Sequence, residues 1–394
     1  MPGTLDGRRI YFVGIGGAGL SGYALLARSW GAEVAGWDRV RTPYLEPLAG
    51  IEITLGPEPD PPDGWEVVVS TAFTDRVSGT SRAEFLAELV SLQRSIVVAG
   101  THGKSTTAAM VAFCLDRAGH DPAFLIGAEV PQLGANARAG TGWLVVEGDE
   151  SDRTVLLLRP QIAVVTNVEL DHHSTFGSQV EVEALFERWL EEVPQVVRGA
   201  ELEPAEIPLA IPGEHNRRNA ACALAVLELA GVAAADAIAA LAEFRGVGRR
   251  FELRGEAGGV RVFDDYGHHP TEVAATIAAA RELGARRVLV LFQPHLYSRT
   301  LHLAGEFGNA LAAADVVCVT DIYAAREEPV EGVTGKLVVD AVAERRPGMA
   351  VCWAPAVEDG ARMLARRARP GDLVLTIGAG DVDRAVPLLL EELG

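Results

Sequence analysis

The chain has 394 residues and is 48% hydrophobic, enough to bury large cores, and its length suggests two to three domains. Its 54 acidic residues against 35 basic ones give a formal charge of -19, which argues against nucleic acid or an anionic membrane as main partner, because both reward basic surfaces. No run approaches the roughly 20 apolar residues of a membrane span, and the N-terminus lacks a charged-then-apolar signal pattern, so a cytoplasmic protein is expected.

With so little positive charge, anionic ligands must be held by local clusters. Only two lysines occur, Lys104 and Lys336. A lysine kept inside a glycine-rich loop of an otherwise arginine-using chain suggests a point charge that arginine's planar fork cannot replace. The four cysteines, Cys114, Cys222, Cys318 and Cys352, are widely spaced in apolar surroundings and read as buried thiols of a reducing compartment.

In chain order, a β-rich run Arg9 to Val13 precedes Gly14-Ile15-Gly16-Gly17-Ala18-Gly19 and a helix through about Trp30. A second strand, Glu33 to Trp37, ends at Asp38, near the offset of a ribose-binding acid. Taken alone this pattern fits a nicotinamide dinucleotide domain, but what it establishes physically is a diphosphate seat at a helix N-terminus. A strand near 66–70 and a helix near 82–90 complete an α/β unit, and the Pro/Asp-rich piece 57–64 reads as a surface loop.

The second segment opens with the strand Ser95 to Ala99, then Gly100-Thr101-His102-Gly103-Lys104-Ser105-Thr106, then a helix from about Ser105 to Ala118. Strand, glycine loop and helix in that order make a P-loop: helix-start amides surround a phosphate, the lysine neutralises β/γ oxygens and a serine hydroxyl reaches magnesium. Val98 stands where the usual formula has glycine. A glycine turn capping an ordinary helix is the plainer alternative. A strand near 143–148 ends in the acids Glu147, Asp149, Glu150 and Asp152, and another, 162–166, ends in Asn167-Val168-Glu169-Leu170-Asp171-His172-His173. Parallel topology would put these strand ends on one sheet edge beside the phosphate loop, where magnesium ligands belong; a solvated loop is the rival for the acidic run. Residues 186–212 show no clear strand pattern. Asn216, before a helix expected at 220–230, has the type preferred at an N-cap.

In the third segment, strands at about 260–264, 287–292, 315–320, 350–353 and 372–377 alternate with helices, the pattern of a doubly wound, mostly parallel sheet. Polar residues gather after the strands: Asp264-Asp265-Tyr266-Gly267-His268-His269, Gln293-Pro294-His295, Ser298-Arg299, Asp321-Ile322-Tyr323 and Gly378-Ala379-Gly380-Asp381. Ligands of such sheets bind at these carboxyl ends. His269, just before Pro270, reads as structural. Three α/β units, one with a diphosphate seat, one with a triphosphate loop and one with a basic, histidine-bearing rim, suggest phosphoryl chemistry between two bound ligands.

Taken together, GIGGAGLSGYA at 14–24, GTHGKSTT at 100–107, EGDESD at 147–152, NVELDHH at 167–173, GEHNRRNA at 213–220, GVGRRFE at 246–252, DDYGHHPTE at 264–272, FQPHLYSRT at 292–300 and GAGD at 378–381 resemble the Mur ligases, in collinear order over nearly the whole chain. The resemblance, closest to the alanine-adding branch, implies three α/β domains: a Rossmann-like UDP-sugar domain at 1–94, a central P-loop ATP domain with a parallel sheet at 95–248, and a Rossmann-like amino-acid domain at 249–394. It implies an ADP-forming amide ligase of peptidoglycan precursor synthesis, using ATP and Mg²⁺ to join L-alanine to UDP-N-acetylmuramate through an acyl phosphate, as a monomer or weak homodimer. A ligase adding a peptide or another amino acid, or a non-catalytic nucleotide-sugar binder, stands as the alternative.

Carried over by position, Gly14, Gly16, Gly17, Gly19, Ser21 and Asp38 would seat the UDP sugar, so that no nicotinamide is involved. Gly100, Thr101, His102, Gly103, Lys104, Ser105 and Thr106 would hold ATP, with Asn216 or Asn219 at adenine. Ser105, Glu147 and His172 would bind metal. Lys104, His268, Arg299 and Arg250, with Arg249 as an alternative to the last, would be catalytic. The chain departs from the family pattern at Leu296, often arginine, and at Gly148, where Glu-Ala-Asp-Glu is usual, leaving Glu150 a rival to Glu147. Its middle segment is short between Leu190 and Gly213, and no lysine lies between Lys104 and Lys336 to be carbamylated at the second metal.

Overall fold

The computed structural model describes residues 4–172, 175–325 and 327–394; His173 of the histidine motif lies outside them. The chain divides into two compact units, one of Met1–Glu169, Ser178–Pro208 and Arg218–Phe244, the other of Leu170–Gly177, Leu209–Arg217 and Arg245–Gly394. The first unit holds two sheets and the second holds one, all with parallel strands dominating.

The first sheet is built from β1 (Arg9–Val13), α1 (Ala18–Ser29), β2 (Glu33–Asp38), β3 (Glu52–Leu55), β4 (Glu66–Val69), β5 (Thr80–Ser81) and α2 (Arg82–Leu92). Strand order is β3-β2-β1-β4-β5, so β1 and its glycine turn occupy the centre. α2 starts where it does because Ser81 and Glu84 form a reciprocal capping box.

The second sheet contains β6 (Ser95–Ala99), α3 (Lys104–Arg117), β7 (Ala123–Val130), β8 (Ala135–Arg138), β9 (Leu144–Glu147), β10 (Ile162–Val165), α4 (Gln179–Leu190) and β11 (Gln195–Arg198), followed by α5 (Glu214–Leu229) and α6 (Ala234–Glu243). Its order is β11-β10-β6-β9-β7-β8. All five residues of β6 are buried, and its neighbours run parallel with Val98 opposite Glu147 and Ala99 opposite Val165. The ends of β9, β6 and β10 therefore share one edge, as the sequence leads one to expect. The stretch 186–212 departs from expectation: it completes α4 and adds β11, a four-residue edge strand whose polar ends conceal it from a pattern search. The helix after Gly213 starts at Glu214, so Asn216 lies in its first turn and is not the cap.

The third sheet comprises β12 (Glu252–Ala257), β13 (Val260–Asp265), α7 (Pro270–Glu282), β14 (Val288–Phe292), α8 (Tyr297–Leu311), β15 (Val316–Val319), α9 (Lys336–Arg345), β16 (Ala350–Trp353), α10 (Val357–Arg367), β17 (Leu373–Ile377) and α11 (Ala385–Leu393). The order is β12-β13-β17-β14-β15-β16, with only the β12–β13 pair antiparallel. On β14, Val288, Val290 and Phe292 join one core and Leu289 and Leu291 the other. Helices cover both faces, which is why this strand reads as an unbroken apolar run. His269 caps α7 in a box with Glu272, in keeping with its structural reading. Among the described residues no helix is long and apolar enough to cross a membrane.

Candidate active site

The glycine turn after β1 is tied down from below. Gly14 has φ +88°, and a Cβ there would meet Ser70 Cβ at 2.9 Å. The Gly16 amide donates to Asp38 Oδ2 at 2.7 Å, the Arg39 amide to Asp38 Oδ1 at 2.7 Å, and Thr42 Oγ1 donates to the Gly16 carbonyl at 2.6 Å. Asp38 thus sits against the turn itself. Gly17 caps α1 without a side-chain bond, and the Ser21 hydroxyl donates back to Ala18 O. Gly19 has open space around its Cβ position.

The phosphate loop after β6 is braced by the end of β10. Gly100 (φ +121°) passes so close that a Cβ would lie 2.3 Å from Thr166 Oγ1. Thr166 Oγ1 and Asn167 Nδ2 both donate to His102 O, and Asn167 Oδ1 accepts from the His102 amide. Thr101 exchanges two bonds with the Glu169 backbone, while the His102 ring approaches the Glu169 carboxylate at 3.3 Å. Gly103, in the left-handed region at φ +79°, opens α3, and a Cβ on it would fall 2.3 Å from Asn219 Oδ1. Of the two asparagines proposed for adenine, Asn219 is beside the loop. Asn216 donates from Nδ2 to Pro212 O, in the other unit.

Charge in the loop is arranged in two steps. Lys104 Nζ donates to Gly100 O at 2.6 Å, to Thr101 O at 3.2 Å and to both Glu150 oxygens at 3.0 and 3.1 Å. Burial opposes its charge, but Glu150, Asp149 and Glu147 outweigh that and hold the ammonium above its usual range. Burial pushes Glu150 upward, against the pull of Lys104. Ser105 Oγ donates instead to Glu147 Oε2 at 2.9 Å, and Glu147 Oε1 accepts from the Gly127 amide. Since Glu150 faces the lysine and Glu147 the serine hydroxyl, the pair Ser105 and Glu147 is the hard-oxygen set suited to magnesium. Thr106 and Thr107 are buried in the first turn of α3.

In the second unit, Arg299 enters from the first turn of α8 and is 3% exposed. Its Nε and Nη2 donate to Asp171 Oδ1 at 3.0 and 2.9 Å, and Nη2 also reaches Oδ2 at 2.9 Å. Burial alone would raise Asp171, but Arg299, with His172 and His268, reverses this and holds the carboxyl well below the carboxylate range. Arg299 Nη1 lies 3.1 Å from His295 Nδ1. Arginine only donates, so Nδ1 accepts and a neutral His295 carries its proton on Nε2. By the same logic His268 Nδ1, 3.1 Å from Tyr266 O, is the donor, which leaves Nε2 as an acceptor. Burial is the main cause holding His268 down to about 3 and His295 to about 4. Their rings are 5.8 Å apart, and His295 stacks on Tyr323 at 5.9 Å. His172 has φ +52°, and its amide donates to Asp171 Oδ1.

The two arginine candidates are now distinguished. Arg249 donates to Asp264, Gly380 O and Gly378 O, fastening β13 to the loop after β17. Arg250 meets Glu272 at 3.5 Å and stacks over Tyr266. Leu296, in the place often taken by arginine, adopts φ +70° directly before α8. Sequence reasoning assigned no role to Asp171, Thr166 or Asn167. Asp171 lies within the histidine motif, but its partner is 128 positions away, which one sequence cannot reveal.

Three consecutive family models match: the Mur ligase family catalytic domain over residues 9–94, the Mur ligase middle domain over 98–197 and the Mur ligase glutamate ligase domain over 249–380. The chain belongs to the Mur ligase family. A curated relative, the UDP-N-acetylmuramate--L-alanine ligase of Pelotomaculum thermopropionicum, is 38% identical over 95% of this chain and 95% of its own. That alignment is 442 positions long against a chain of 394, so at least 48 of them face gaps here. Among solved structures, the UDP-N-acetylmuramate-alanine ligase MurC of Thermotoga maritima superposes with a TM-score of 0.77 at 27% identity, covering 97% of this chain and 98% of that one. The murein peptide ligase of Psychrobacter arcticus gives 0.65 at 26% identity, covering 98% and 99%.

Proposed function

We propose that this enzyme joins L-alanine to UDP-N-acetylmuramate with conversion of ATP to ADP and phosphate, in peptidoglycan precursor synthesis. The observation that carries the reading is the phosphate loop, where Lys104 and the Ser105–Glu147 pair sit on a strand–glycine–helix turn at the edge shared by β9, β6 and β10. The choice of alanine rests on the likeness to the alanine-adding relatives.

In this reading residues 1–94 seat the UDP sugar, 95–248 the ATP and 249–394 the amino acid. The turn of Gly14, Gly16, Gly17 and Gly19 at the N-terminus of α1 is the seat for the UDP diphosphate, and the loop 100–106 at the N-terminus of α3 is the seat for ATP, with Asn219 beside that loop. Ser105 and Glu147 would hold Mg²⁺, and His172 is the candidate for a second ion; bound magnesium would supply Lewis-acid neutralisation of phosphate charge. Lys104 stabilises the γ-phosphoryl group while the muramyl carboxylate oxygen bonds to phosphorus and the bond to ADP breaks. The alanine nitrogen then bonds to the carbonyl carbon of the acyl phosphate, and inorganic phosphate leaves. Neutral His268 presents Nε2 as acceptor for the amine proton, Arg250 stands beside it on Tyr266, and Arg299 orients the anionic end of the acceptor from its anchorage on Asp171.

The test is phosphate release from ATP with UDP-N-acetylmuramate and each amino acid supplied in turn. Turnover is expected with L-alanine and to need Mg²⁺ and all three substrates. Equal release without an acceptor would remove the ligase reading, and preference for a peptide acceptor would move the chain to a sister activity.

A further inference from the structure

Outside the phosphate loop and the histidine cluster, the third sheet holds a second reactive arrangement. Cys318 on β15 and Cys352 on β16 stand directly opposite each other in the parallel register. Residues so paired project to the same side of a sheet, and here both thiols belong to the core beneath α10 and α11. Adjacent strands are about 4.8 Å apart, within the Cα separations that disulfides span. The two cysteines differ in access, since Cys318 is buried and Cys352, on the edge strand, is half-buried. A third sulfur, Met363 Sδ of α10, lies 3.6 Å from Cys352 Sγ. Cys114 and Cys222 are buried elsewhere, in the first unit.

We propose that Cys318 and Cys352 form a reversible oxidation site that closes to a disulfide across β15 and β16 when the protein meets hydrogen peroxide. In the first step the Cys352 sulfur attacks a peroxide oxygen. The O–O bond breaks, the leaving hydroxide takes a proton to become water, and Cys352 becomes a sulfenic acid. In the second step the Cys318 sulfur attacks Cys352, the S–O bond breaks, and the Cys318 proton leaves with the hydroxyl as a second water. Two thiols and one peroxide thus give one disulfide and two waters. The assignment of roles follows access: the half-buried thiol meets oxidant and the buried one resolves it. It is consistent that the interaction with Cys318 draws Cys352 below the ordinary thiol range while raising Cys318. Neighbouring parallel strands hold Cβ atoms further apart than a relaxed disulfide prefers, which makes a bridge of the easily reduced, regulatory kind. In a reducing compartment such a bridge is transient.

The experiment is treatment of the native protein with a small excess of hydrogen peroxide, quenching with a thiol alkylator, and intact and peptide mass measurement. The expected result is loss of the mass of two hydrogen atoms, a cross-linked peptide pair containing Cys318 and Cys352, reversal by dithiothreitol, and no cross-link in Cys352→Ser. Cys114 and Cys222 should remain alkylatable only after unfolding. Addition of oxygen atoms to Cys352 without a cross-link would overturn the proposal. So would oxidation of Met363 while both thiols stay free. Because Cys352→Ser changes one atom at an edge strand, its circular dichroism and phosphate-release activity verify that loss of the cross-link is not loss of the fold.

Discussion

The first unit holds the part-buried ion pair Lys104–Glu150 and the second the buried pair Arg299–Asp171, and they are built to different degrees of permanence. The lysine side chain keeps 20% of its surface and divides its three protons among two loop carbonyls and Glu150. The arginine and its partner keep 3% and 5%, in a two-pronged contact that fixes the plane of the guanidinium. A point charge on a flexible stem can exchange a carbonyl for a phosphate oxygen, whereas a planar fork locked on a carboxylate cannot turn. The first pair can therefore rearrange more readily than the second, whose guanidinium also meets His295 through Nη1.

The largest expected effect follows from the rearrangeable pair. Lys104→Ala should lower turnover by on the order of 10³-fold, about 4 kcal/mol of transition-state stabilisation, while UDP-sugar affinity measured by calorimetry stays within a few-fold. Loss of UDP-sugar binding in that variant would show that the two glycine turns do not divide the ligands as proposed.

The fixed pair should respond in stability first. Arg299→Ala leaves Asp171 buried without its cation and is expected to cost about 3 kcal/mol, read from urea unfolding. Arg299→Met combined with Asp171→Leu should recover much of that stability and none of the activity. Recovery of activity would mean that the pair is purely structural.

Acid should find the second unit before the first. His268, His295 and His215 are held by burial at about 3, 4 and 4, whereas in the unfolded chain they take protons near pH 6.5. For these histidines the unfolded state binds more protons, so they remove stability as pH is lowered from about 6.5 toward 4, by on the order of 1.4 kcal/mol per pH unit each, partly offset by Asp265, whose carboxyl burial raises to about 6. Asp171 adds to the loss only below its unfolded value of roughly 4. Urea midpoints at pH 7 and pH 5 check this, and His268→Gln should reduce the difference. A midpoint unchanged between the two pH values would contradict the burial argument.

A smaller effect is expected at Gly103. Alanine there would have to hold a left-handed conformation and displace the Asn219 side chain, costing about 1 kcal/mol from the backbone alone. The adenine-side affinity for ATP should weaken more than the UDP-sugar affinity, as measured by competition binding.

Strands buried on both faces were legible from sequence as plain apolar runs, as in Val288 to Phe292, while β7 (Ala123–Val130), inside the second sheet but half polar at its end, was not expected. Two edge strands were not legible: β8 (Ala-Asn-Ala-Arg) and β11 (Gln-Val-Val-Arg) are short and half polar, whereas the edge strand β16, expected at 350–353, is mostly apolar. The P-loop could be read locally, since its backbone geometry is a matter of consecutive residues. The partners of its lysine and serine could not be told apart, because Glu147 and Glu150 differ only in how β9 ends. The capping alternative for Asn216 fails because Gly213, at φ +102°, precedes a helix that starts at Glu214, earlier than the apolar periodicity does. Likewise nothing in the spacing of Asp171 and Arg299 announces their pairing.

The most direct measurement places ¹⁸O in the carboxylate of UDP-N-acetylmuramate and follows it during turnover with ATP and L-alanine. If Lys104 and its loop serve phosphoryl transfer to that carboxylate, one labelled oxygen must appear in each inorganic phosphate released. Phosphate free of label would contradict an acyl phosphate and, with it, the role given to the Lys104–Glu150 pair.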